Sequence, residues 1–257
     1  MQTDKSIIDF IQRGYETYLP HISIDCAVFG FYENQLKILL IQWKETGKWS
    51  LPGGFIQCSE SVDKAAKRIL QERTGLENIF LEQFKLFGDA NRKNTPDTQT
   101  IIQAAGTGIE ADNWLLQRMV SIGYYALVDF SRTKPTPDLL LEDCRWWDIQ
   151  EMPPLLFDHE EIVKSALKAL RLQLINQPVG YNLLPEKFTM SQLRRLYETI
   201  LDKTIDRRNF EKKMLKLGIL DRLDEVKSDV SYKAPMLYRF NQAKYQELLN
   251  ADFGFGF

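Results

Sequence analysis

Two groups of residues in this chain have the types and spacing to do chemistry. The first is Leu51-Pro52-Gly53-Gly54 with Glu60, Arg68, Glu72, Gly75 and Leu76 behind it. Carboxylates on such a helix can hold a divalent cation only when several share one face, because charge count largely sets affinity for hard ions. Here one face carries Ile69, Glu72 and Arg73, with a formal charge near zero. The second group is Arg207, Arg208 and Asn209 with Lys212, Lys213 and Lys216. Arginine pairs bidentately with guanine and asparagine with adenine, whereas the lysines suit phosphate contacts.

The elements that must position the first group follow from its flanks. A Pro-Gly-Gly turn, a helix-compatible stretch and a glycine stop make a loop–helix–loop. Ser59 is expected to cap the helix. Val62, Ala65, Ala66, Ile69 and Leu70 fall at i, i+3, i+4, i+7 and i+8, an apolar stripe that faces a core.

The window from Gly54 to Leu76 resembles the Nudix box, Gly-x5-Glu-x7-Arg-Glu-apolar-x-Glu-Glu-x-Gly-apolar. Gly54, Glu60, Arg68, Leu70, Glu72, Gly75 and Leu76 match it in register. Two positions depart from it, since the first and last helix carboxylates of the family are Ile69 and Arg73 here. In the enzymes three carboxylates on this face hold Mg²⁺ or Mn²⁺ against a pyrophosphate and help activate water. With two of the three gone, Glu60, Arg68 and Glu72 are vestigial rather than catalytic, and no metal is expected. The resemblance implies an ion pair between Glu60 and Arg68 that braces loop against helix, and Ile69 joins the core. Gly53, Gly54, Phe55, Arg68, Glu72 and Asp89 are the candidate ligand-binding residues.

At 257 residues the chain has room for a larger and a smaller domain. Its 44% hydrophobic and 26% charged residues are ordinary for a globular protein. No apolar run reaches the roughly 20 residues that span a bilayer, and Met1–Lys5 has no secretory layout. Cys26, Cys58 and Cys144 are odd in number and widely spaced, which fits reduced thiols in the cytoplasm. Neither His21 nor His159 is singled out for catalysis.

Residues 5–19 have the spacing of an amphipathic helix, with Ile7, Ile8, Phe10, Ile11 and Tyr15 apolar. Strands are expected at Ile22–Phe31 and Leu36–Trp43, joined by a turn at Glu33–Gln35, and then at Ile79–Phe87, Met119–Phe130 and Cys144–Ile149. Residues 90–113 form a long polar interruption of functional or mobile character, and Thr133–Pro137 is a Pro-rich connection. Asp158 is placed to cap a helix from about 159 to 175. Together with the box, these elements fit an α/β/α sandwich around a mixed sheet, the fold that the resemblance implies.

A boundary at 176–180 divides the chain into an effector-binding domain, 1–177, and a DNA-binding domain, 181–257. Residues 187–216 hold nine Lys/Arg against four Asp/Glu, while residues 1–180 sum to −5. A basic module attached to an acidic one is suited to phosphate backbones. Thr189 caps a helix to about Leu201, and Asp206 caps a second, Arg207 to Leu217, with Phe210, Met214, Leu215 and Leu217 inward. Ile219–Leu223 and Met236–Phe240 suit a two-stranded wing around a polar turn at Glu225–Asp229. The result is a winged helix-turn-helix that places its second helix in the major groove.

A damaged Nudix box followed by Leu184-Pro185-Glu186-Lys187-Phe188-Thr189 and Asp206-Arg207-Arg208-Asn209-Phe210 resembles the Nudix-related transcriptional regulators. The Phe157-Asp158-His159 step is also similar to that group. What the resemblance implies is a homodimeric bacterial regulator of palindromic operator DNA, switched by a small effector. The effector is ADP-ribose in one branch of the group and a pentose in another. Loss of the metal site favours a neutral sugar, whereas Arg92 and Lys93 leave a phosphorylated ligand open. The alternative is an active Nudix hydrolase of nucleoside diphosphate derivatives, using Mg²⁺ with Glu110 or Asp112 recruited from the insertion. A metabolite-binding protein that uses its basic module on protein or RNA is the third class.

Overall fold

The run Ile24–Phe29, apolar but for Asp25, lies in the middle of the longest strand, β1 (Tyr18–Tyr32), and is buried throughout. Strands covered on both faces read as continuous apolar sequence rather than as alternation. The computed structural model describes residues 5–44, 46–77, 79–92, 95–104, 108–130, 141–176, 183–226 and 235–250. β1 turns through Glu33 and Asn34, both at positive φ (49° and 62°), into β2 (Gln35–Trp43). Two left-handed residues make the tight turn whose twist matches that of the flanking strands.

β3 (Trp49–Ser50), β4 (Gly53–Gln57), β5 (Phe80–Phe87), β6 (Val120–Val128) and β7 (Leu141–Asp148) complete a seven-stranded sheet. Its order is β3-β2-β1-β6-β5, with β4 paired to β1 and β7 to β2. The antiparallel β1–β4 register opposes Asp25 to Gly53, Ile24 to Gly54 and Ser23 to Phe55. That register fixes the glycine turn beside the central strand.

Among the described residues four helices accompany the sheet: α1 (Lys5–Arg13), α2 (Val62–Thr74), α3 (Thr95–Ala104) and α4 (His159–Asn176). α2 buries Ala65, Ala66, Ile69 and Leu70 and stops at Gly75, whose φ of 71° is the left-handed cap that glycine adopts without strain. Its N-cap position is Ser61, two residues later than expected, and no side-chain bond caps it. Tyr15 lies beyond the end of α1 and is 51% exposed, so it is not part of an apolar face. The polar interruption at 90–113 contains α3, which buries Ile102, and it leads into a short 3₁₀ turn at Trp114–Leu116.

The C-terminal domain begins with β8 (Phe188–Thr189) and α5 (Met190–Leu201), where Thr189 and Gln192 form a complete capping box. α6 (Arg207–Lys216) starts at Asp206, whose side chain accepts the Asn209 N–H at 2.9 Å. β9 (Leu220–Val226) and β10 (Met236–Phe240) form the wing in the sheet order β8-β10-β9, and α7 (Gln242–Asn250) follows. Leu193, Leu196, Tyr197 and Ile200 of α5 are buried, as are Phe210 and Met214 of α6. Leu215 is 47% exposed, because it points off the buried face that Phe210 and Met214 define. The described residues within Gly30–Leu36, Leu127–Arg132 and Leu167–Phe257 belong to one compact unit, and the other described residues to a second.

The architecture is the mixed α/β domain and small winged helix of the sequence expectation. Residues 133–137, Lys93, Gly106, Thr107, 177–180 and 227–229 lie outside the described residues. Cys26, Cys58 and Cys144 are thiols rather than disulfide halves. Among the described residues no helix is long and apolar enough to cross a membrane.

Candidate functional site

Gly53 can lie against β1 only because it lacks a side chain, and Gly54 packs closely on α2. A Cβ on Gly53 would sit 2.9 Å from the Ile24 carbonyl oxygen, and one on Gly54 would meet the Ile69 side chain at 3.1 Å. Behind this turn Arg68 is the hub. Its Nε donates to Glu60 at 3.0 Å, its Nη2 to Glu60 at 2.6 Å and to the Phe55 carbonyl at 2.8 Å, and its Nη1 to Glu72 at 2.8 Å. The Gln57 N–H donates to Glu60 at 2.9 Å, so loop and helix are tied through one ion pair. The Arg68 guanidinium holds the Glu60 carboxyl below the usual glutamate range despite partial burial.

The face that would bind a metal in a hydrolase does not fit one. Ile69 is 2% exposed and packs under Gly54, Glu72 points to Arg68, and the Arg73 Nε donates to the Gly53 carbonyl at 3.2 Å. Among the described residues no group of three His, Cys, Asp or Glu side chains could hold a metal ion. Glu110 and Asp112 are exposed and do not line the cleft.

Beside the turn lies a cavity of about 220 Å³. Gly53, Gly54 and Phe55 line it, whereas Arg68, Glu72 and Asp89 do not. Asp89 is exposed and accepts the Asn91 N–H. One wall is aromatic and apolar: Phe10 and Ile11 of α1, Phe55, Ile101 and Ile102 of α3, and Phe157. Phe10 and Phe55 lie 5.8 Å apart and both pack on Trp114, whose indole N–H donates to the Ile11 carbonyl. Lys44 and Arg73 place two cations among the lining residues.

The floor is polar and escaped the sequence reading. Asp25 and His159 line the cavity, and His159 Nε2 faces Asp25 at 3.4 Å. The Leu51 N–H donates to His159 Nδ1 at 3.0 Å, which puts the imidazole proton on Nε2, toward the carboxylate. Ser121 donates its hydroxyl to Asp25, and Arg92 Nη2 lies 3.9 Å from it. Burial favours the protonated form of Asp25, yet His159, Ser121 and Arg92 together outweigh it and hold the carboxyl below the usual aspartate range. Arg92 grips Asp158 with bonds of 2.6 and 2.7 Å. It is therefore a buried structural cation rather than a phosphate contact, and the Asp158 carboxylate serves that pair at the head of α4. The available signal was one carboxylate inside the apolar run of β1.

In the second domain Arg207, Arg208, Asn209, Lys212 and Lys216 are exposed along α6, while Lys213 is half-buried. Burial, reinforced by Lys203, lowers the pKa of Lys213. The turn before α6 is clamped at Ile205, whose N–H donates to Glu198 and whose carbonyl accepts Arg194. Lys187 bonds Glu225 at 2.6 Å, which ties β9 to the segment before β8.

The NUDIX domain family model matches residues 21–170, and that of the NrtR DNA-binding winged helix domain matches residues 180–240. The ADPR responsive transcriptional repressor NtrR of Acinetobacter baylyi is 28% identical over 88% of this chain and 84% of its own. An ADP-ribose pyrophosphatase of Methanocaldococcus jannaschii is 28% identical over 61% of this chain and 81% of its own. The crystal structure of Shewanella oneidensis NrtR complexed with a 27mer DNA has the same fold. Its TM-score is 0.69 at 24% identity, and the match covers 88% of this chain and 95% of that one. With one match spanning most of the α/β domain and the other the basic module, the chain belongs to the Nudix family and carries an NrtR-type winged helix domain behind its Nudix domain.

Proposed function

We propose that the protein is a ligand-responsive transcriptional repressor whose Nudix cleft takes up ADP-ribose and whose winged helix binds operator DNA. It acts in the cytoplasm as a homodimer on a palindromic operator. One observation carries the reading: the box helix offers the cleft a guanidinium, Arg73, where a hydrolase has a metal-binding carboxylate. Fixed positive charge at that point neutralises a diphosphate without a metal and without activating water. The Phe10–Phe55 wall suits an adenine ring. A bare pentose would leave both features unused, because sugars ask for many hydrogen-bonding groups and this lining is largely apolar. Ligand uptake shifts the population between states of differing operator affinity.

The test is calorimetry of the full chain with ADP-ribose and with free pentoses, with and without Mg²⁺. ADP-ribose should bind without metal and pentoses should not. Arg73→Glu should weaken binding by ~10–100-fold, the value of a hydrogen bond to a charged group. Turnover of ADP-ribose in Mg²⁺ that Glu72→Gln abolishes would replace this reading with the hydrolase one.

A further inference from the structure

β1 and α4 have one property in common. Each contributes to the cleft lining and leads, further along the chain, to a contact with α5. β1 supplies Ser23 and Asp25 to the cavity, runs on to Tyr32 and ends at the Glu33–Asn34 turn. There the Thr199 hydroxyl of α5 donates to the Asn34 carbonyl at 3.1 Å. α4 opens with His159 in the cavity lining, and further along Arg171 Nε donates to the Ile200 carbonyl of α5 at 2.7 Å. The hairpin tip, the later part of α4 and the winged helix belong to one compact unit.

Both contacts fall on adjacent residues, Thr199 and Ile200, in the last turn of α5. The carbonyls of a last helical turn lack intrahelical partners, so an arginine there is a structural cap rather than a loose surface bond. Asp202 to Asp206 follow directly, and the Glu198–Ile205–Arg194 clamp holds that turn to α5. Any shift of Thr199 and Ile200 therefore passes through a short, clamped turn to Arg207, Arg208 and Asn209. Neither contact touches the cavity lining, and neither involves an exposed residue of α6.

We infer that the Asn34–Thr199 and Arg171–Ile200 contacts are the point at which ligand occupancy acts on DNA affinity. The inference rests on reading the cleft as the ADP-ribose site and α6 as the DNA helix. Coupling differs from binding, since a residue that only couples leaves each affinity in place and removes their mutual effect.

The experiment uses the full chain and a duplex selected by the protein from a random-sequence pool. Anisotropy gives the duplex affinity with and without ADP-ribose, and calorimetry gives the ADP-ribose affinity alone. Wild type should show a ratio of duplex affinities within about 5–150. Thr199→Val and Arg171→Met should each bring that ratio toward one while still binding both ADP-ribose and the duplex. Thr199→Ser, which keeps the hydroxyl, should retain the wild-type ratio. An undiminished ratio in both the valine and the methionine variants overturns the inference and leaves the proposed function intact. If Arg171→Met fails to fold, the contrast between Thr199→Val and Thr199→Ser decides alone. A wild-type protein that binds ADP-ribose with no change in duplex affinity overturns the proposed regulation, and the inference with it.

Discussion

Arg68 ties the glycine turn to the box helix, and its effect is on stability. It donates to Glu60, Glu72 and the Phe55 carbonyl, so the glycine turn is held in place whether or not a ligand is present. Glu60 makes this pH-dependent. Its folded-state pKa lies below the ordinary value of 4.5, chiefly because Arg68 hydrogen-bonds the ionised form. The contribution is complete above that ordinary value and is lost as pH falls through the lowered folded one. Glu60→Gln should cost about 1–3 kcal/mol at neutral pH, the loss of a charged hydrogen bond. It should also flatten the acid limb of stability against pH. Urea unfolding across the acid range measures both, and an unchanged acid limb would show that the pair is idle. This residue-scale picture was largely legible, because the resemblance to the Nudix box implies the Glu60–Arg68 pair. Asp25, Arg92, Ser121 and His159 were not, since their partners are far apart in sequence and meet only when β1, β6 and the head of α4 are assembled.

At the scale of elements, local signals decided what could be read. α5 and α6 begin where Thr189 and Asp206 cap them, and α6 is followed by Gly218 at φ 69°. These caps are written in adjacent residues, so the sequence places both helices closely. α3 is more weakly signalled: Pro96 and Asp97 suit a first turn, but its apolar residues Ile101 and Ile102 are few, and packing at the cleft selects the helix. Tertiary packing overriding weak propensity is the usual reason that such a helix is missed. The capping box also sets an expectation. Thr189→Ala removes the side chain that accepts the Gln192 N–H, and it should cost about 0.5–2 kcal/mol. Amide exchange should rise first in α5, and Thr189→Ser should restore it. Equal exchange in the alanine variant and wild type would mean that packing of Leu193, Leu196 and Tyr197 alone holds the helix start.

For the whole molecule the governing feature is the division of charge. Residues 1–180 sum to −5, whereas residues 187–216 carry a surplus of five positive charges. Net charge near zero conceals this asymmetry, and association with DNA depends on the local charge rather than the total. Lys212 and Lys216 lie exposed on α6, as Arg208 and Asn209 do, but the two kinds of residue should affect binding differently. A lysine on phosphate releases counterions without reading sequence, so its removal weakens all duplexes alike and lowers the salt slope by about 0.9 per contact. For the proposed dimer that is about 1.8. Arg208→Ala should instead cost ~1–3 kcal/mol on the selected duplex and relax its preference over a scrambled one. Anisotropy titrations of both duplexes over a range of salt concentrations separate the two behaviours. A Lys212→Ala slope equal to wild type would remove α6 from the phosphate backbone and leave the basic surplus as a solvated face.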